Sequence, residues 1–162
     1  MRLGVRLDKP TLVVRPATDR DRGEIIRLLG EYRLKTSDRR GARDFLDSSP
    51  LAEHEAGAKS HEDVQVLLCH QGEDLVGVGA LEIRVVGSTP RALLEIFCSD
   101  DSILARDVVQ LLIETGESVA LTKEVGDMDI MALPGDQRLK SSLEERGYRA
   151  RLLVMNRSLR TP

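Results

Sequence analysis

The sequence predicts an α/β fold: a mixed, mainly antiparallel sheet of about six strands with helices on both faces, in the order β-α-α-β-β-β-α-β-α-β. Three observations carry this prediction. Short apolar runs bounded by glycine, proline and acidic residues read as strands. Longer segments repeat their apolar residues at three- and four-residue intervals, the period of a helix. Two glycine-containing turns join strands directly, and helices separate the others, so hairpins and crossovers share one sheet.

Leu12-Val13-Val14-Arg15 is a short strand closed by Pro16. Thr18 with Asp21 three residues on is a capping-box-like signal, so a helix opens at Asp19 and buries Ile25, Leu28, Leu29 and Tyr32. From Lys35 to Asp63 the chain is polar, with Phe45, Leu46 and Leu51 as its large apolar residues, and is expected to bury little. Ser49-Pro50 starts a short helix running to about Ala58. Three strands follow in series. Val64 to His70 turns through Gln71-Gly72-Glu73-Asp74 into Leu75 to Val86, and Gly87-Ser88-Thr89-Pro90 leads to Arg91–Cys98, expected to be central. Ser99-Asp100-Asp101 introduces a longer helix with Val108, Val109, Leu112, Ile113 and Val119 on one face. Gly116 interrupts that helix and Gly126 is placed as its C-terminal cap. Asp127 to Leu133 is a strand expected to diverge from Arg91–Cys98. Asp136 caps a helix to about Arg146, Gly147 ends it, and Tyr148 to Arg157 is the last strand.

Composition bounds the rest. Residues 1–162 are the size of one domain, with a core from about 12 to 159. No apolar run approaches the ~20 residues a membrane helix needs, and Met1–Pro10 lacks the apolar stretch of a signal peptide. Cys69 and Cys98 have neither disulfide-framework nor zinc-ligand spacing and read as inert thiols in apolar strands, so a cytoplasmic protein is expected. A net charge of −3 with scattered arginines argues against a nucleic-acid partner, and Phe45, Phe97, Tyr32 and Tyr148 are too few aromatics for base stacking. His54-Glu55 opens like a zinc-protease motif, but the fourth residue after His54 is Ala58, so no metal is expected; His61 and His70 read as surface or turn residues. Gly77-x-Gly79 lies inside a strand and lacks the helix of a dinucleotide fingerprint.

Three segments resemble the GNAT superfamily of acyl-CoA-dependent N-acyltransferases, in order and over nearly the whole chain. Val14-Arg15-Pro16-Ala17-Thr18-Asp19-Arg20-Asp21 is similar to that family's first strand and helix entry. Asp74-Leu75-Val76-Gly77-Val78-Gly79-Ala80 resembles its third strand. Leu143-Glu144-Glu145-Arg146-Gly147-Tyr148-Arg149 looks like its penultimate helix running into the final strand. The resemblance implies transfer of an acetyl group from acetyl-CoA to a small-molecule or peptide amine, with Lys35–Asp63 as the acceptor wall. Acetyl-CoA would lie where the fourth and fifth strands splay, held by Ile96, Phe97 and Cys98 and by the helix start at Leu104, Ala105 and Arg106.

The same resemblance exposes departures. The family's pyrophosphate loop, Arg/Gln-x-x-Gly-x-Gly/Ala, offers backbone N–H groups that glycine lets approach phosphate closely. Ser99-Asp100-Asp101-Ser102-Ile103-Leu104 has no glycine and puts two carboxylates there, so acetyl-CoA binding is expected to be weak or lost. Where many members carry a proton-donating tyrosine, this chain has Leu143, and the acid is unassigned. Glu95, alone among apolar neighbours in the fourth strand, is the candidate general base. Alternation with Leu94 and Ile96 leaves either the cleft or a solvated face open to it. The alternatives to the enzyme are a non-catalytic binding module of the same fold, and a structural homodimer formed through a sheet edge.

Overall fold

A computed structural model describes residues 11–39, 42–55, 64–98, 103–133 and 136–151. Five strands form one sheet: β1 (Leu12–Pro16), β2 (Val64–Gln71), β3 (Asp74–Val86), β4 (Thr89–Cys98) and β5 (Met128–Ile130), in the order β1-β2-β3-β4-β5. The first three pairings are antiparallel and β4–β5 is parallel. The sheet is therefore mixed and mainly antiparallel, as the hairpin and crossover signals predict. Two expectations need correction. Among the described residues β3, rather than Arg91–Cys98, takes the middle, with only the short β5 beyond β4. Residues 148–151 of the expected last strand are not in a strand, and the remainder lies outside the described residues.

Both hairpins turn on glycine in the left-handed region, Gly72 at φ 62° and Gly87 at φ 68°, where a side chain would be strained. After β1, a 3₁₀ turn over Asp19–Asp21 leads into α1 (Arg22–Thr36). Asp21 reaches back as the Thr18 signal implies: its Oδ2 accepts from the Thr18 amide at 2.7 Å and hydroxyl at 2.9 Å. The Arg15 guanidinium donates to both Asp21 oxygens, at 2.6 and 2.9 Å, and holds that carboxyl well below the usual carboxylate range. Strand end and helix start are thereby tied together.

The sheet separates two cores. On one face, α1 brings Ile25 and Leu28, and two short helices, α2 (Ala42–Asp47) and α3 (Pro50–Glu55), bring Ala42, Phe45, Leu46 and Leu51. All of these are buried, so the expectation that the segment after Lys35 buries little is overturned. Each large side chain so enclosed contributes roughly 1.5–3 kcal/mol of burial. Phe97 anchors this face, with the Tyr32 ring edge-on at 5.2 Å and Phe45 at 6.0 Å.

On the other face lie α4 (Ile103–Thr122) and α5 (Gln137–Glu145), which contribute Val108, Leu112, Ile113, Ala120 and Leu143. α4 presses close to β3. A Cβ on Gly77 would stand 2.4 Å from Val108 Cγ1, so this glycine serves helix packing. Gly116 has a similar reason: a Cβ there would stand 2.9 Å from Leu94 Cδ2. The C-terminal cap of α4 is not Gly126. Val125 donates to the Ala120 carbonyl and Glu124 to that of Leu121, both at 3.0 Å, the pattern of a Schellman turn with Glu124 left-handed at φ 59°. α5 begins where predicted, with the Asp136 side chain accepting from the Leu139 amide at 3.1 Å, and ends at Gly147, φ 88°. Among the described residues, no helix is long and apolar enough to cross a membrane.

Candidate active site

The site is built on β4. Its residues alternate, so Ala92, Leu94 and Ile96 join the α4 core while Phe97 joins the α1–α3 core, with Glu95 fully buried. β5 pairs with only part of this strand: Ala92 with Met128, Leu93 with Asp129, and Leu94 with Ile130. The Ala92 amide donates to the Asp127 carbonyl at 2.9 Å and the Met131 amide donates to Leu94 at 3.3 Å. Beyond Leu94 the β4 backbone has no β5 partner among the described residues. β5 is Met128–Ile130, shorter than the expected Asp127–Leu133, so the two strands are not paired along their whole length.

Alternation also says which β4 groups face the β5 side. Ala92 and Leu94 point their N–H and C=O groups toward β5, so Ile96 and Cys98 point theirs the same way, with no β5 partner among the described residues. Phe97, by the same rule, directs its backbone at Val78 of β3. Of the three strand residues expected to hold the acyl donor, Ile96 and Cys98 therefore direct their backbone to the β5 side and Phe97 does not. At the closed end, the Arg91 guanidinium spans Asp129 at 3.3 Å and Asp127 at 3.4 Å.

Glu95 has no exposed surface at all, so it lies neither on a solvated face nor open to a cleft, the two positions alternation leaves to it. Its Oε2 accepts from the Ser49 hydroxyl at 2.6 Å, and its Oε1 is buried with no partner among the described residues. Ser49 is itself buried at the start of α3, where its Oγ accepts from the amides of Leu51 at 3.1 Å and Ala52 at 3.4 Å. Burial pushes the Glu95 carboxyl up to about 7, against the opposing effects of the Ser49 hydrogen bond and the Arg84 charge. Glu82, on the same sheet face, adds to the upward push and is itself bonded to Arg84. A carboxyl poised near neutrality is suited to taking and returning a proton at physiological pH.

Sequence reasoning singled out Glu95 but missed its partner. Ser49 was legible as a helix cap; its bond to a residue 46 positions away has no local signature. Tyr32 was read as core only. Its ring packs on Phe97, and burial with the nearby Asp136 charge pushes its hydroxyl up to about 12.

The remaining predicted residues fall as follows. Leu104 and Ala105 are partly buried on the first turn of α4, and Arg106 is exposed and lies 3.4 Å from Glu145 of α5. Ser99–Ser102 lie outside the described residues, as does His61. Leu143 is buried in the α4-side core. The Tyr148 hydroxyl donates to Glu117 at 2.8 Å, fourteen residues or roughly 20 Å of helix from the start of α4. Burial and that bond hold it protonated. Burial likewise raises Cys69 to about 11 and Cys98 to about 12, as inert thiols require. His70 sits within β2, with Nε2 3.9 Å from Glu24, rather than in a turn. Among the described residues, no three His, Cys, Asp or Glu side chains are placed to hold a metal.

No protein-family profile and no curated protein matches the sequence. Solved structures do match. A probable acetyltransferase superposes with TM-score 0.65 at 15% identity, covering 93% of this chain and 98% of that one. A predicted acetyltransferase from Clostridium acetobutylicum, solved with acetyl-CoA, gives 0.68 at 6% identity over 90% and 96%. An aminoglycoside N-acetyltransferase in complex with CoA gives 0.66 at 14% identity over 92% and 95%. Identities this low speak for architecture: the chain has the GNAT fold, shared with acetyltransferases.

Proposed function

We propose that this protein is an N-acetyltransferase that passes an acetyl group from acetyl-CoA to an amine by direct attack in a ternary complex. The observation that carries the proposal is the end of β4–β5 pairing at Leu94, after which the Ile96 and Cys98 backbones face the β5 side with no β5 partner among the described residues, flanking buried Glu95. Strand backbone of this kind matches the amide groups of a pantetheine arm. Leu104, Ala105 and Arg106 stand at the start of α4 in the positions the resemblance assigns to the phosphate end.

In the reaction, the acceptor nitrogen forms a bond to the acetyl carbon as the carbon–sulfur bond breaks. The amine's proton goes to Glu95, through water because the carboxyl is enclosed, and the departing thiolate takes a proton from a donor that is not assigned. Acceptors are small-molecule or peptide amines met by α1, α2 and α3. Neighbours in fold include an aminoglycoside acetyltransferase from a soil metagenomic sample, solved with sisomicin and with trehalose.

A second reading, a non-catalytic module of the same fold, is favoured by Leu143, which offers no hydroxyl where a donor is expected, and by Tyr148, which is committed to Glu117. The test is thiol release from acetyl-CoA with a panel of primary amines, for wild type and Glu95→Gln across pH 5–9. Acetylation in the wild type, with the Gln variant losing at least tenfold and its rise through neutrality, upholds the enzyme. No acetylation by the wild type with any amine leaves the non-catalytic module.

A further inference from the structure

Ser49 Oγ makes three hydrogen bonds, and their directions are constrained. The amides of Leu51 and Ala52 can only donate, so they occupy the two acceptor positions of the hydroxyl. Its single hydrogen is then directed at Glu95 Oε2, 2.6 Å away. Oε2 must accept, whatever the protonation state of the carboxyl. A proton on Glu95 therefore resides on Oε1, the buried oxygen that has no partner among the described residues.

We propose that Ser49 is a positioning residue: fixed as a donor by the start of α3, it reserves Oε2 as an acceptor and makes Oε1 the one atom through which Glu95 gains and loses its proton. The inference rests on the assignment of Glu95 as the base, and it deepens that assignment in two ways. It gives the proton path an end point, since a water serving the acceptor amine has to reach Oε1. It also couples the base to α3, because tightening or loosening the first turn of that helix changes the strength of the hydroxyl as a donor.

The bond from Ser49 favours the ionised carboxylate, so its loss raises the Glu95 midpoint. The other groups acting on the carboxyl are Glu82 and Arg84 from β3, Tyr32 from α1, and the Leu51 amide from α3; the α2 side chains buried in that core, Ala42, Phe45 and Leu46, are apolar. The Leu51 amide loses its Ser49 acceptor in an Ala or Gly variant and keeps it in a Thr variant, while the other groups are not altered by a change at Ser49 that keeps the helix start in place.

The experiment follows the side-chain carboxyl carbon of Glu95 by NMR against pH in the full chain, with the signal assigned through Glu95→Gln. Ser49→Ala and Ser49→Gly remove the hydroxyl, and glycine is well tolerated at a helix N-cap, so the second variant is available if the first fails to fold. Ser49→Thr keeps the hydroxyl. The expected result is a midpoint raised by about one to two pH units in the Ala and Gly variants and nearly unmoved in the Thr variant. The acid limb of the acetylation profile should move with it. An unmoved midpoint in Ala and Gly, or a Thr variant that behaves like Ala, overturns the proposal. A midpoint that moves while acetylation keeps its wild-type pH profile overturns the role of Glu95 as base, and with it the part Ser49 plays in proton transfer, but leaves the hydrogen-bond assignment standing.

Discussion

The Met131 amide donates to the Leu94 carbonyl at 3.3 Å, and among the described residues this is the last backbone bond joining β4 to the chain around β5. Pairing stops there because β5 is three residues long and β4 ten. Arg91, Asp127 and Asp129 pin the end that stays shut. The resemblance assigns the phosphate end of an acyl donor to residues 99–102, which lie outside the described residues.

That loop should limit affinity. It has no glycine and carries Asp100 and Asp101, so if it meets the phosphates as the resemblance implies, two or three charge-assisted hydrogen bonds should be forfeited, each worth roughly 1.5–3 kcal/mol. Acetyl-CoA is expected to bind at about 0.1 mM or weaker, and replacing both aspartates with glycine should tighten it at least tenfold. Calorimetry on the two proteins checks this, and tight wild-type binding would show that the acidic loop does not repel the donor.

Glu95 should leave a mark on stability as well as on rate. Its carboxyl is raised from 4.5 to about 7 in the fold, so between those pH values the native state binds the extra proton. The contribution is therefore fully favourable below about pH 4.5 and is lost as pH rises through 7. Replacement by Gln removes that decline, and relative to wild type the variant should gain up to roughly 3 kcal/mol between pH 5 and 8. Urea unfolding at four pH values measures the two curves; parallel curves would mean the buried carboxyl is not strained by ionisation.

Glu124 carries a local cost that is easy to relieve. It sits left-handed at φ 59°, where glycine is preferred, and its backbone completes the turn that ends α4. Glu124→Gly should stabilise the protein by about 1 kcal/mol, seen as a rise of about 3 °C in Tm. A lower Tm would imply that the glutamate side chain contributes more than its backbone costs.

Much of this architecture could be read from the residues. Gly72 and Gly87 declare the hairpins because their turns need positive φ. Asp136 and Gly147 bracket α5 for the same kind of local reason. What escaped was decided by tertiary contact. Ala42, Phe45 and Leu46 have helical spacing, yet the helix is only six residues long and stands by packing on the sheet. Glu124 took the cap that composition assigns to Gly126, because the last turn of α4 closes two residues earlier. At the site, a lone carboxylate among apolar residues was conspicuous, but nothing near Glu95 in the chain points to Ser49.

The division of the molecule into two cores also bears on how it could change over generations. Helices α1, α2 and α3 share one side with Glu95, and α4 and α5 share the other with Leu94 and Ile96. The sheet lies between them as a common wall. Distant, unshared contacts contribute nearly additively, so the two sides are free to drift at different speeds. One side could be rebuilt over generations while the other stays fixed, because the two meet only through the sheet.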